Sequence, residues 1–165
     1  MVLYYILLPL AWLVFHIGFR VRCVGRENLK KIGTKGCIIA PNHVSAIDPV
    51  FVGITRFWGS RMVVFAKKEL FEINAFLSWF FRCAGAVCVR GVKEELGVIE
   101  DTVSHCQNGG TLLIFPEGTR EKEGKLMQPK SGLFVIAAQA GVDVIPARII
   151  YDTPDGKMKL FCKVT

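Results

Sequence analysis

The chain has 165 residues, 52% of them hydrophobic and 21% charged, with a mean hydropathy of +0.39. That composition excludes an intrinsically disordered or low-complexity protein and fits one folded domain of ordinary size. The net charge of +7 is spread unevenly: residues 1–19 hold no Asp, Glu, Lys or Arg, residues 20–68 hold ten basic side chains against Glu27 and Asp48, and the rest is close to neutral.

The apolar leader, MVLYYILLPLAWLVFHIGF, occupies residues 1–19. As a helix rising 1.5 Å per residue it reaches about 28 Å, near the thickness of a bilayer core. A secretory signal carries its basic segment before the apolar run, whereas here the first basic residue, Arg20, follows it. A retained membrane-associated helix is therefore predicted. Pro9 lies inside the run, so a helix that crosses the bilayer and one that lies half-buried in it both fit, with Tyr4, Tyr5 and Trp12 as interfacial anchors. Basic residues on the C-terminal side alone place the body, residues 20–165, on the cytoplasmic face of the cell membrane. There, each Lys or Arg near an anionic leaflet adds about 1 kcal/mol of attraction. Zinc spacings, recognition helices and aromatic RNA-binding motifs are absent from the sequence, so nucleic acid is not an expected partner.

In the body, strand-like runs fall at Cys37–Pro41, Met62–Ala66, Gly85–Val89, Thr111–Phe115 and Val144–Ile150, with a last one at Met158–Val164. Val92, Leu96, Ile99, Val103 and Cys106 recur at helical steps and end before Gly109-Gly110, and Ser131–Ala140 reads as a buried helix stopped by Gly141. Strands alternating with helices predict one α/β domain with a largely parallel or mixed central sheet flanked by helices. The six cysteines show no CxxC pair, and the three histidines are far apart. Buried thiols and no metal site follow.

Two loops carry candidate chemistry. In Pro41-Asn42-His43-Val44-Ser45-Ala46-Ile47-Asp48-Pro49, an imidazole can take a proton from a hydroxyl if a carboxylate on its other nitrogen fixes the tautomer. Five helical residues would put His43 and Asp48 about 140° apart, so they meet only across a turn. Asp48-Pro49 also suits the start of a helix. In Phe115-Pro116-Glu117-Gly118-Thr119-Arg120, Pro116 stops a strand, Gly118 allows close approach and Arg120 offers a planar fork for a phosphate; a surface turn with a Glu117–Arg120 ion pair fits equally. His43, Lys67, Arg90 and Arg120 each follow a strand, so a parallel sheet would open all four loops on one edge.

NHVSAIDP and FPEGTR, in this order and 69 residues apart from Asp48 to Glu117, resemble the His-x4-Asp and Glu-Gly-Thr-Arg motifs of the 1-acylglycerol-3-phosphate acyltransferases. Weaker matches are Phe65–Leu70, Gly85–Arg90, Lys130-Ser131-Gly132 and Val144-Ile145-Pro146. The resemblance implies transfer of a fatty acyl group from acyl-CoA or acyl-carrier protein to the free hydroxyl of lysophosphatidic acid, or of another lysolipid such as lyso-ornithine lipid. By carry-over His43 is the general base, Asp48 orients it, and Glu117, Gly118, Thr119 and Arg120 form the acceptor-phosphate site, with Lys67 and Arg90 as further substrate contacts. It implies no metal and no cofactor. One residue fewer separates Gly85 from Arg90 than is common in the family, and Glu121 stands where it often has Ser. Two other classes compete: a thioesterase using Cys37 or Cys88 with His43, and a non-catalytic lipid-surface protein. The aromatic segment Phe71, Phe76, Leu77, Trp79, Phe80 and Phe81 is either core or a surface that dips into lipid.

Overall fold

The structure, a computed structural model, describes residues 2–31, 35–55, 61–89, 92–120 and 127–165. The chain begins with α1 (Val2–Gly18), β1 (Arg20–Val21) and α2 (Arg26–Lys31), then β2 (Cys37–Pro41) and α3 (Asp48–Thr55). It continues through β3 (Met62–Lys67), α4 (Lys68–Glu72), α5 (Ala75–Cys83), β4 (Ala86–Val89) and α6 (Val92–Gln107). The last elements are β5 (Thr111–Leu113), α7 (Gly132–Ala140), β6 (Asp143–Ala147) and β7 (Lys163–Val164).

Five strands form a sheet in the order β4-β3-β5-β2-β6, and every pairing in it is parallel. The central strands are apolar on both faces, as a sheet covered on both sides requires. Successive residues divide between two cores: Cys37, Ile39 and Leu113 pack with Phe51, Val52 and Ile54 of α3, while Ile38, Ala40 and Leu112 pack with Leu133, Ile136 and Ala140 of α7. Pro146, which cannot donate to a ladder, sits on the edge strand β6, where a missing donor is tolerated. The neighbouring strands β5 and β2 therefore send their following helices to opposite faces. In an open α/β sheet that divergence leaves a crevice at the C-terminal strand ends. The short pair β1–β7 is also parallel and stands apart from the main sheet.

The leader is helical, but it does not meet the spanning alternative. Among the described residues no helix is long and apolar enough to cross a membrane. At 17 residues, α1 is about 26 Å long, and it commits one face to the body through Tyr4, Leu8, Ala11 and Phe15. Tyr4 is not an interfacial anchor: it is buried, and its hydroxyl accepts the Met62 N–H at 3.3 Å. Tyr5, Ile6, Leu10, Trp12, Leu13, Val14 and Ile17 face outward.

One further expectation changes, and one alternative left open is decided residue by residue. Only one side of α7 is buried, since Phe134 and Val135 are exposed. The aromatic segment divides: Phe71 is core, with the Arg82 guanidinium 5.2 Å from its ring centre, while Phe76 and Trp79 point outward from α5.

Candidate active site

The β2–α3 loop makes the turn that the His43–Asp48 spacing demands. The Asp48 N–H donates to the Ser45 carbonyl at 3.2 Å, and Val50 and Phe51 donate to the Ile47 carbonyl, so the first helical donors are satisfied by backbone. Asp48 opens α3, but its carboxylate does not cap the helix; it turns back into the loop. Oδ2 accepts the Val44 N–H at 2.7 Å, the Ser45 N–H at 2.8 Å and the His43 Nδ1–H at 2.9 Å. Oδ1 accepts the Tyr151 hydroxyl. Asp48 is 0% exposed, and four donors compensate a buried carboxylate that would otherwise be costly.

Because a carboxylate fully engaged with donors accepts from Nδ1, the proton of a neutral His43 is held on Nδ1 and Nε2 is the basic nitrogen. The imidazole lies flat on Phe115, with ring centres 3.9 Å apart and planes 22° from parallel, and the side chain remains 18% exposed. Nε2 makes no hydrogen bond among the described residues. Asn42 fixes the loop from behind: its Nδ2 donates to the Ile149 carbonyl at 3.1 Å and its Oδ1 accepts the Ile149 N–H at 2.6 Å.

The second loop lies beside the first because β5 pairs with β2. Glu117 is buried and accepts the His43 backbone N–H at 3.3 Å, tying the loops together. Gly118 has φ 70°, which only glycine adopts freely, and the Lys130 side chain crosses it: a Cβ built there would lie 2.8 Å from Nζ. Thr119 and Arg120 are exposed next to this turn. Lys67 is exposed where β3 ends on the same sheet edge. Arg90 and Glu121 lie outside the described residues.

The structure thus brings together His43, Asp48 and the Glu117–Arg120 loop, and it adds Phe115, Asn42, Lys130 and Tyr151. Of these, Lys130 had a signal in the Lys130-Ser131-Gly132 match, and Phe115 begins the second motif; Tyr151 had none. The two cysteines weighed as nucleophiles are badly placed. Cys37 starts β2, six residues before His43, or about 20 Å along an extended chain, and its thiol faces Thr111. Cys88 is on β4, three strand spacings from β2, or about 14 Å. Neither reaches the imidazole. His105 is structural, its Nε2 lying 3.1 Å from the Arg61 carbonyl and 3.3 Å from that of Thr111. Among the described residues no three His, Cys, Asp or Glu side chains are grouped to hold a metal.

Residues 20–150 match the family model named Acyltransferase. The chain is similar to the chloroplast 1-acyl-sn-glycerol-3-phosphate acyltransferase of Brassica napus, 29% identical over 128 residues, covering 76% of this chain and 36% of that protein. It is also similar to the 1-acyl-sn-glycerol-3-phosphate acyltransferase of Borreliella burgdorferi, 28% identical over 138 residues, covering 82% of this chain and 53% of that protein. Among solved structures, the crystal structure of the 1-acyl-sn-glycerophosphate (LPA) acyltransferase PlsC from Thermotoga maritima superposes with a TM-score of 0.61 at 26% identity, covering 90% of this chain and 60% of that one. The chain spans 36% and 53% of the length of these two curated relatives. With the family match running from Arg20 to Ile150, across all five strands of the main sheet and both loops at its edge, the chain belongs to the Acyltransferase family.

Proposed function

We propose that this chain carries the catalytic domain of an enzyme that moves a fatty acyl group from acyl-CoA or acyl-carrier protein to the free hydroxyl of 1-acylglycerol-3-phosphate, giving phosphatidic acid for phospholipid synthesis. The observation that carries the reading is the His43–Asp48 pair, 2.9 Å apart, on the sheet edge that also holds the Gly118–Arg120 turn. Nε2 of His43 takes the proton of the acceptor hydroxyl as its oxygen attacks the thioester carbonyl. The tetrahedral adduct collapses with cleavage of the C–S bond, and the imidazolium returns the proton to the leaving thiolate. No covalent enzyme intermediate is needed, because the thioester is already activated. Asp48 stabilises the imidazolium while it exists.

Arg120 and Thr119 serve the acceptor phosphate at the Gly118 turn, and Lys67 and Lys130 add positive charge at the same edge. Glu117 acts through structure: an inward carboxylate that accepts the His43 N–H holds the phosphate loop against the catalytic loop. The outward faces of α1 and α5 would rest in lipid on the cytoplasmic side of the cell membrane, with the exposed Arg20, Arg22, Arg26 and Lys35 against anionic headgroups.

The test is product identification by mass spectrometry. The protein and its His43→Ala variant are each incubated with a panel of lysolipids and with both donor types. Phosphatidic acid should form with the wild type, and His43→Ala should lower the rate by about 10²–10⁴-fold. Acylation of only phosphate-free lysolipids would overturn the acceptor assignment, and a fully active His43→Ala would overturn the mechanism.

A further inference from the structure

Asp48 has two oxygens, and the loop uses only one. Oδ2 receives His43 Nδ1–H and the Val44 and Ser45 amides, while Oδ1 points away from the imidazole into the core, where the Tyr151 hydroxyl meets it. Tyr151 lies one residue beyond the span of the family match. We infer that Tyr151 is a positioning residue of the acyl transfer: by donating to Oδ1 it fixes the plane of the Asp48 carboxylate, keeps Oδ2 aimed at His43, and sets how much negative charge the imidazole feels. This inference rests on the proposed reaction.

Tyr151 is itself held from several sides. It forms an antiparallel bridge with Val164. Around that bridge the Ile150 N–H donates to the Thr165 carbonyl at 2.7 Å, the Thr165 N–H returns to the Ile150 carbonyl at 2.9 Å, and the Asp152 N–H donates to the Lys163 carbonyl at 2.9 Å. Its ring is 3% exposed and packs edge-on against Phe51 of α3, centres 6.0 Å apart. The hydroxyl thus reaches Asp48 from a segment anchored to β7, with little freedom to retreat.

The polar and titratable groups facing the phenol are Asp48, Ser45 and the Cys162 thiol. Burial, with the Asp48 carboxylate beside it, pushes the phenol far above the ordinary tyrosine range. Tyr151 is therefore a donor at every pH at which an acyltransferase would work. A donor on Oδ1 draws charge from the carboxylate and so moderates its hold on the imidazolium. Without it, the carboxylate could turn about its Cβ–Cγ bond, and its undiluted charge would bear on the imidazole.

Tyr151→Phe keeps the ring and removes the donor. In the proposed assay kcat should fall about tenfold, with KM for lysophosphatidic acid and for acyl-CoA within about twofold of wild type. The acidic limb of the kcat/KM–pH profile should move upward. In an Asp48→Ala background, which offers the phenol no side-chain partner at position 48, the same change should alter kcat by less than about twofold, because its effect runs through that carboxylate. An unchanged kcat and pH profile, or an equal loss in both backgrounds, would overturn the inference. If Tyr151→Phe does not fold, 3-fluorotyrosine at position 151 retains the hydroxyl as a stronger donor and should move the acidic limb downward; an unmoved limb would overturn it. The downfield proton resonance of His43 Nδ1–H needs no substrate. It should shift in Tyr151→Phe even if the wild type fails to acylate any lysolipid, which separates failure of the proposed reaction from failure of the Tyr151 link, and a resonance that does not shift counts against the link.

Discussion

Replacing Asp48 by Asn tests whether the buried carboxylate contributes charge or only geometry. The amide has the volume of the carboxylate, and its oxygen can take the place of Oδ2 and accept the His43, Val44 and Ser45 N–H groups at 2.7–2.9 Å. Its NH2 then faces the Tyr151 hydroxyl, which can turn from donor to acceptor. The loop and the His43 tautomer are kept, and the negative charge is lost. At Nδ1···Oδ2 2.9 Å the charge centres of imidazolium and carboxylate are roughly 4 Å apart, worth about 4 kcal/mol at an effective dielectric of about 20. In the proposed reaction that attraction exists only once His43 has accepted the proton, so there it would lower the barrier to transfer. At 1.36 kcal/mol per decade its loss should cost about 10³-fold in kcat. Two backbone amides and one imidazole N–H that lose a charged acceptor cost about 1 kcal/mol each, offset in part by no longer burying a charge. A modest drop in melting temperature is expected, with the fold retained by circular dichroism. The assay is initial-rate transfer from radiolabelled acyl-CoA to lysophosphatidic acid in mixed micelles. A folded Asp48→Asn with kcat within tenfold of wild type would refute the electrostatic argument.

Asn42→Ala strips the Ile149 N–H and carbonyl of their partners and should lower unfolding free energy by about 2–4 kcal/mol in urea titrations; a loss below about 1 kcal/mol would mean that water replaces both bonds. Arg120→Ala should raise KM for lysophosphatidic acid about tenfold, the lower end for a charge-assisted contact since Arg120 is exposed, and leave phosphate-free acceptors unchanged. An equal effect on both acceptors would remove Arg120 from the phosphate site. Burial first, then the Asp48 interaction, holds the Tyr151 proton in the folded chain, whereas the unfolded chain loses it above pH about 10. Stability should therefore fall as pH rises from there, by up to about 1.4 kcal/mol per pH unit. Tyr151→Phe should fall less steeply between pH 10 and 11, and identical slopes would show that the phenol ionises as freely in the folded state.

What the sequence disclosed was what is local. The runs at Cys37–Pro41 and Thr111–Phe115 were legible because parallel strands covered on both faces must be continuously apolar, and the loops after them because His43 and Asp48, or Gly118 and Arg120, lie within a few residues of one another. The stripe of α6 was legible for the same reason: Ile99 and Val103 pack on the core and Cys106 is buried there. Long-range partners left no trace, and the Asn42–Ile149 and Asp48–Tyr151 bonds span 107 and 103 residues. Nothing in the local pattern around Tyr151 distinguishes a phenol aimed at a carboxylate from one packed in a core. The leader misled in a different way. Its even hydrophobicity hides the fact that Tyr4, Leu8, Ala11 and Phe15 pack on protein, since apolar side chains suit protein and lipid alike. Asp48 left one detail open, because an Asp-Pro pair signals a helix start whichever way the carboxylate turns: the residue opens α3, as the sequence suggests, while its carboxylate meets His43 instead of the helix donors.

During synthesis, His43 and Asp48 leave the ribosome with the residues that will hold them still untranslated. At about 5–20 residues per second, the chain waits roughly 5–20 s between Asp48 and Tyr151. Throughout that interval the imidazole sits on a loop that lacks its Ile149 anchor and the second support of its carboxylate. The parallel pairing of β2 with β6, between segments this far apart, is also among the slower events in folding. A truncated chain ending before β6 would carry both sequence motifs intact and still have an unpinned imidazole. In the whole chain both supports arrive only when the segment after β6 docks, so the geometry around His43 is completed among the last steps of building the domain.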